Sequence, residues 1–171
     1  DCITKANERV ALLTPIAKAY LTDKALEAAL EAQMCFGGHG YIREWGMEQC
    51  IRDLRISQIY EGTNGVQALD LIGRKTIKSN GAFIADYLTE IREFADSMLD
   101  VMSIKAVTLD VCAQVDEITK IIIEQSKVSP DFPSAVAVDY LHVVGLLSFT
   151  YMFARIAQAA QSKSDTFYQN K

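Results

Sequence analysis

Histidine, proline and tryptophan are scarce in this sequence, and strand-forming patterns are nearly missing. There are two histidines, three prolines and one tryptophan in 171 residues. Cys35 and His39 are four apart, but no second ligand pair lies nearby, and a structural zinc site needs four ligands. No metal is expected. Cys2, Cys35, Cys50 and Cys112 form no CxxC pair and fit no small disulfide framework. They read as reduced thiols of a cytoplasmic protein. No serine sits on a strained elbow, so no Ser-His-Asp set can be assembled. His142, inside an apolar stretch, reads as a hydrogen-bonded core histidine.

Basic charge is also short. Lys and Arg number 17 against 22 Asp and Glu, for a net charge of -5. The densest basic stretch, Arg52 to Arg55, is interrupted by Asp53. Phosphate-backbone binding depends on clustered cations, so no nucleic-acid partner is expected. A basic-then-apolar leader is missing as well. The chain opens Asp1-Cys2-Ile3-Thr4-Lys5, without Met, and reads as a piece of a longer protein. The longest mainly apolar run, 143–154, falls short of the ~20 residues that cross a bilayer. It reads as a buried core helix, with no membrane span.

What is present is apolar and helical. Half the residues are hydrophobic, and a chain this long buries ~70% of the surface it exposes when unfolded. Phe83, Ile84, Tyr87, Leu88, Ile91, Phe94, Ala95, Met98, Leu99 and Met102 recur at three- and four-residue steps, the spacing of one helix face. Ile104, Val107, Val111, Val115, Ile118 and Ile122 repeat the pattern. Pro130 and Pro133 mark a loop over 128–134, and a last helix follows over about 134–160. That helix is apolar most of the way round, so it packs on more than one side. Three such helices with short connections form a bundle. Upstream, 15–35 reads as one helix, with Thr14 as N-cap and Pro15 as its first residue. Shorter helices are expected over 48–54 and from Val66 to about Lys78, with Asn80-Gly81 as punctuation. The expected fold is all-α, with two modules: 1–78, which carries two glycine loops, and 81–171, a plain helical extension.

The glycine loops carry the candidate chemistry. Gly37, Gly38 and Gly40 lie in Phe36-Gly37-Gly38-His39-Gly40-Tyr41. They could bring backbone N–H groups close to a phosphate or a flat cofactor, or could simply cap a helix. The Rossmann and P-loop patterns are absent. Glu61 follows Ile59 and Tyr60 and precedes Gly62. A carboxylate beside bulky apolar groups is partly desolvated and suited to act as a general base. The other reading is an ordinary loop glutamate near a helix start.

Two stretches in order, Phe36-Gly37-Gly38-His39-Gly40-Tyr41 and Ile51-Arg52-Asp53-Leu54-Arg55-Ile56 running into Ile59-Tyr60-Glu61-Gly62-Thr63, resemble the acyl-CoA dehydrogenase C-terminal domain. The likeness covers roughly residues 5–78. The continuation from Asn64 to Lys75 resembles the larger bacterial branch, similar to 3-methylmercaptopropionyl-CoA dehydrogenases, in which an extra helical extension follows. The resemblance implies a flavin-dependent oxidation of an acyl-CoA thioester to the trans-2-enoyl-CoA. Glu61 would remove the α-proton, and the β-hydrogen would leave as hydride to the flavin. The backbone N–H of Glu61 would help hold the thioester carbonyl. Gly62 and Tyr60 would line the substrate. Gly37, Gly38 and Thr63 would touch FAD, with the glycine loop reaching a neighbouring subunit's cofactor. The implied partners are the acyl-CoA substrate, an electron-transfer flavoprotein and further copies in a homo-oligomer. FAD would be held mainly by an N-terminal helical domain and a β domain elsewhere in the enzyme, leaving the isolated chain inactive. Met34 stands where many members carry Gln, with Gln33 one place off. The competing readings are a non-catalytic homologue on the same scaffold and a helical oligomerisation module.

Overall fold

A computed structural model of the chain describes residues 2–98 and 104–161, and every statement of structure below concerns these. Six helices are found there and no strand. Helix α1 (Cys2–Cys35) is followed by two single 3-10 turns, Gly37–Tyr41 and Arg43–Trp45, and then by α2 (Met47–Ser57). Helix α3 (Asn64–Leu69) continues directly into a π-helical segment, Asp70–Ile77. Helices α4 (Ala82–Ser97), α5 (Ile104–Val128) and α6 (Phe132–Gln161) complete the chain.

Helix α1 does not start at Pro15. It runs through it, and Pro15 is buried. An interior proline costs about 3 kcal/mol, but Leu12, Ile16, Ala19 and Tyr20 are buried on the core side of the same helix. Burying such side chains contributes about 1.5–3 kcal/mol each for the large ones, enough to offset the missing hydrogen bond. Thr14, expected as an N-cap, instead donates its hydroxyl to the Val10 carbonyl at 2.7 Å, one turn back inside the helix.

The three C-terminal helices form the expected bundle. In α4, Ile84, Tyr87, Leu88, Ile91 and Ala95 are buried. Asn80 (φ 51°) and Gly81 (φ 79°) make the break before it. The expected continuation past Ser97 does not occur at Met98, whose backbone is extended although its side chain stays buried. Leu99 and Met102, assigned to the same face from their spacing, lie outside the described residues. Helix α5 buries Cys112, Val115, Thr119 and Ile122 at three- and four-residue steps. Helix α6 buries Ala137, Tyr140, Leu141, Val144, Leu147, Tyr151 and Ala154. It packs against α1, α3, the π-helical segment and α5, which explains why it is apolar most of the way round. Phe132–Ala160 spans 29 residues and contains an 18-residue stretch of mean hydropathy 1.5, long and apolar enough to cross a bilayer by length and composition alone. The helix extends beyond the apolar run 143–154 because isolated polar residues interrupt that run without ending the helix. Here α6 serves as the central helix of the bundle.

The segments on either side of Asn80-Gly81 share one continuous core, built from α1, α3, the π-helical segment, α4, α5 and α6. Inside it, the Tyr140 hydroxyl lies 2.9 Å from Thr119 Oγ1 and 3.4 Å from Thr76 Oγ1. The two threonines also donate to the Val115 and Leu71 carbonyls. At the bundle edge the Arg9 guanidinium lies 4.4 Å over the Tyr87 ring and pairs with Glu90 at 2.9 Å. Glu90 in turn accepts from the Tyr151 hydroxyl at 3.0 Å.

Candidate active site

Tyr60, Glu61, Gly62 and Thr63 form the turn that joins α2 to α3. Helix α2 ends in tight backbone bonds, from Ile59 N to the Ile56 carbonyl and from Tyr60 N to the same carbonyl. The chain then reverses through two left-handed residues in a row, Glu61 at φ 54° and Gly62 at φ 81°. Glycine adopts this region freely, whereas a glutamate pays about 1–2 kcal/mol for it. Thr63 then caps α3, its Oγ1 accepting from Val66 N at 3.4 Å.

The turn is held from below. Lys18 Nζ donates to the Gly62 carbonyl at 2.6 Å and to Asn64 Oδ1 at 2.8 Å. Gln67 Nε2 donates to the Glu61 carbonyl at 3.0 Å. Asn64 Nδ2 reaches Asp23 Oδ1 at 2.6 Å, Thr22 Oγ1 at 3.0 Å and the Ala19 carbonyl at 3.2 Å. Thus α1, through Lys18, Ala19, Thr22 and Asp23, fixes the start of α3 and with it the turn.

The Glu61 side chain points away from this support. It is exposed, and its carboxylate makes no hydrogen bond or ion pair among the described residues. The desolvation expected from Ile59 and Tyr60 is not found, because those side chains are 50% and 52% exposed. Sequence neighbours bury a carboxylate only if something covers them all, and no described element does so.

Gly37 and Gly38 lie at the other end of α1 and are exposed. A Cβ built on either would meet no atom within 4 Å, so the backbone there is open to a ligand. Met34 is also exposed. Gln33, one place away, donates its Nε2 to the Gly40 carbonyl at 3.0 Å and so staples the glycine turn to α1. The glycine turn and the Glu61 turn are not one cluster. Asp23, which anchors the latter, and Gly37 are separated by 14 positions, or roughly 20 Å along a helix. The described residues contain no group of three or more His, Cys, Asp or Glu able to hold a metal ion.

His142 is not a core residue. Its side chain is 42% exposed, and Nε2 lies 3.1 Å from Asp23 Oδ2. The supporting residues Lys18, Asp23, Gln58, Asn64 and Gln67 were not singled out from the sequence. Their one advance signal is the polar side chain of Asp23 at the border of an otherwise apolar helix face.

Comparison with known proteins accounts for both halves of the chain. Residues 4–77 match the acyl-CoA dehydrogenase C-terminal domain, and residues 87–171 match the family described as acetyl-CoA dehydrogenase C-terminal like. Both halves of the chain thus match C-terminal domains of acyl-CoA dehydrogenases. It is 42% identical over 77 residues to 3-methylmercaptopropionyl-CoA dehydrogenase of Ruegeria pomeroyi, covering 45% of this chain and 13% of that protein. It is 35% identical over 86 residues to a broad-specificity linear acyl-CoA dehydrogenase of Mycobacterium tuberculosis, covering 50% of this chain and 14% of that protein. An acyl-CoA dehydrogenase of Bacillus subtilis is 44% identical over 54 residues, covering 32% and 14%. The matched part thus spans about one seventh of the length of these relatives.

Proposed function

We propose that this chain works as the C-terminal part of a flavin-dependent acyl-CoA dehydrogenase, with Glu61 as the base that takes the α-proton of the acyl thioester. The observation that carries this reading is the Glu61 turn. A glutamate is held in a left-handed backbone position it adopts at a cost, its peptide is pinned on the inner side, and its carboxylate is left free and exposed. A base needs that combination of fixed backbone and unengaged carboxylate.

The residues present fit an FAD partner. Gly37 and Gly38 offer exposed backbone with open space around it, suited to a close-lying phosphate or flat ring. The Thr63 hydroxyl accepts from Val66 N at 3.4 Å and keeps its own proton for an outside acceptor. FAD, when bound, supplies the hydride acceptor. The remaining roles belong to the chain. The backbone N–H of Glu61 makes no hydrogen bond among the described residues, so it is free to hold the thioester carbonyl and make the α-proton more acidic. Gly62, having no side chain, keeps the space beside the carboxylate open, and Tyr60 stands as a wall of the acyl site. The roughly 20 Å along α1 from Asp23 to the glycine turn supports a glycine turn that serves the cofactor of a neighbouring copy in a homo-oligomer. An electron-transfer flavoprotein is the electron acceptor this reading implies.

The test uses the full-length protein that contains this chain, titrated anaerobically with acyl-CoAs of different lengths while flavin absorbance is followed. Wild type should bleach, and Glu61→Gln should bind substrate and bleach ~10²–10⁴-fold more slowly, the usual loss on removing a general base. Equal bleaching would move the base elsewhere. No bleaching of wild type by any acyl-CoA would favour a non-catalytic homologue.

A further inference from the structure

Asp23 lies at the centre of the polar network beneath the Glu61 turn. Its Oδ1 accepts from Asn64 Nδ2 and from Gln58 Nε2, both at 2.6 Å. Its Oδ2 accepts from His142 Nε2 at 3.1 Å. A carboxylate only accepts, so the bond requires the His142 proton on Nε2. The Asn64 amide orientation is settled in the same way. Its oxygen faces Lys18, which only donates, and its nitrogen faces Asp23. Gln58 closes the ring, because its carbonyl accepts from Asn64 N at 3.2 Å while its side chain binds Asp23. Three elements meet here: the end of α2, the start of α3 and the middle of α1. A fourth, α6, enters through His142, 119 positions beyond Asp23.

This arrangement differs from a stray surface ion pair, for which a contribution near zero is the ordinary outcome. Asp23 is 26% exposed at the side chain and makes three bonds whose donors come from three different elements. Such a carboxylate has little rotational freedom left. Among the described residues the one hydrogen bond to its second oxygen comes from His142. Without it the carboxylate can rotate, and Asn64 and Gln58 lose their common anchor.

We propose that Asp23 and His142 are positioning residues for the Glu61 turn, so that α6 completes the support of the catalytic base across the bundle. The proposal rests on the reading of Glu61 as the base. It gives the C-terminal helices a role in the reaction: they reach the base through His142, Asp23 and Asn64 without touching substrate.

The test uses the full-length enzyme with two readouts, amide hydrogen exchange over residues 59–66 and anaerobic flavin bleaching at saturating acyl-CoA. His142→Leu should raise exchange in that segment about tenfold and slow bleaching about tenfold, with substrate Kd changed less than about twofold, since misplacing a reacting group lowers rate more than binding. His142→Gln keeps an N–H donor near the position of Nε2 and should restore both readouts to within about threefold. Asp23→Ala, which removes all three acceptor bonds at a helix position that tolerates alanine, should behave like His142→Leu and covers the case in which the leucine variant does not fold. Unchanged exchange in His142→Leu and Asp23→Ala overturns the proposal whatever the enzyme does. Raised exchange with an unchanged bleaching rate overturns the positioning role. Bleaching by Glu61→Gln at the wild-type rate overturns the base assignment alone, and the exchange data still decide whether α6 supports the turn.

Discussion

A Cβ on Gly145 would lie 2.5 Å from Cδ2 and Cγ of the Tyr20 ring, so α6 and α1 meet there as bare backbone against an aromatic face. Three residues along each helix from this crossing stand Asp23 and His142, and the Tyr20 and His142 rings meet edge to face at 5.8 Å. The crossing sets how close the two helices come.

Gly145→Ala should therefore destabilise the protein. Alanine favours a helix over glycine by about 1 kcal/mol, but a methyl forced into a packed contact costs about 1–3 kcal/mol. The ring cannot slide away cheaply, because Tyr20 is buried. The expected net loss is up to about 2 kcal/mol, read as a lower urea midpoint with unchanged slope. A raised midpoint would show that α1 and α6 part easily.

Glu61→Gly should act in the opposite direction. The left-handed backbone at φ 54° is strained for glutamate and unstrained for glycine. The substitution should leave stability unchanged or raise it by about 1 kcal/mol, while the full-length enzyme loses its base. Denaturant unfolding and flavin bleaching on the same variant check both halves. A clear loss of stability would mean that the Glu61 side chain has a structural partner.

Much of this was legible in the sequence. The apolar steps of α4, α5 and α6 announced three helices because burial on one face repeats with the helical period. The Glu61 and glycine turns were visible because only special backbone geometry calls for glycines at those places. Continuous helix through Pro15 was not legible, because the compensation comes from Leu12, Ile16 and Tyr20 packing against distant helices. The support of the Glu61 turn was hidden for the same reason. Lys18, Asp23 and Asn64 are ordinary surface-type residues, and His142 reads as a core one, until the fold places them within hydrogen-bond reach. Glu61 is exposed in this chain although Ile59 and Tyr60 precede it, because sequence neighbours say what is adjacent and not what lies on top.

Tyr140 should make the protein sensitive to alkali. Burial pushes its phenol above the ordinary tyrosine range, with the bonds to Thr119 and Thr76 pulling slightly the other way. Burial raises Tyr87 as well. A group raised on folding contributes stability that is fully present below its unfolded value, about 10 for tyrosine, and is lost as pH rises through the folded value. Melting temperature should not fall on account of these phenols up to about pH 9, and they should begin to lower it above about pH 10. Tyr140→Phe should cost about 1 kcal/mol at neutral pH through the lost hydrogen bond, and should weaken the alkaline fall. An alkaline fall of the same size in Tyr140→Phe would place its origin in other groups.

The isolated chain of residues 1–171 should bind FAD weakly. Tight small-molecule sites bury some 70–90% of the ligand in a concave pocket. Here Gly37, Gly38 and Thr63 are all exposed, and the glycine turn lies roughly 20 Å along α1 from Asp23, which anchors the other turn. Contacts of that kind can steer a flavin that other surfaces enclose, but alone they exclude little water. Equilibrium dialysis or quenching of FAD fluorescence should give a Kd above about 10 μM, weaker than about -7 kcal/mol. Stoichiometric binding at low micromolar concentration would mean that these helices form a cofactor site by themselves. A second copy would then be the first place to look for its other wall, since the glycine turn of one copy and the Glu61 turn of the next would together supply what a single chain keeps apart.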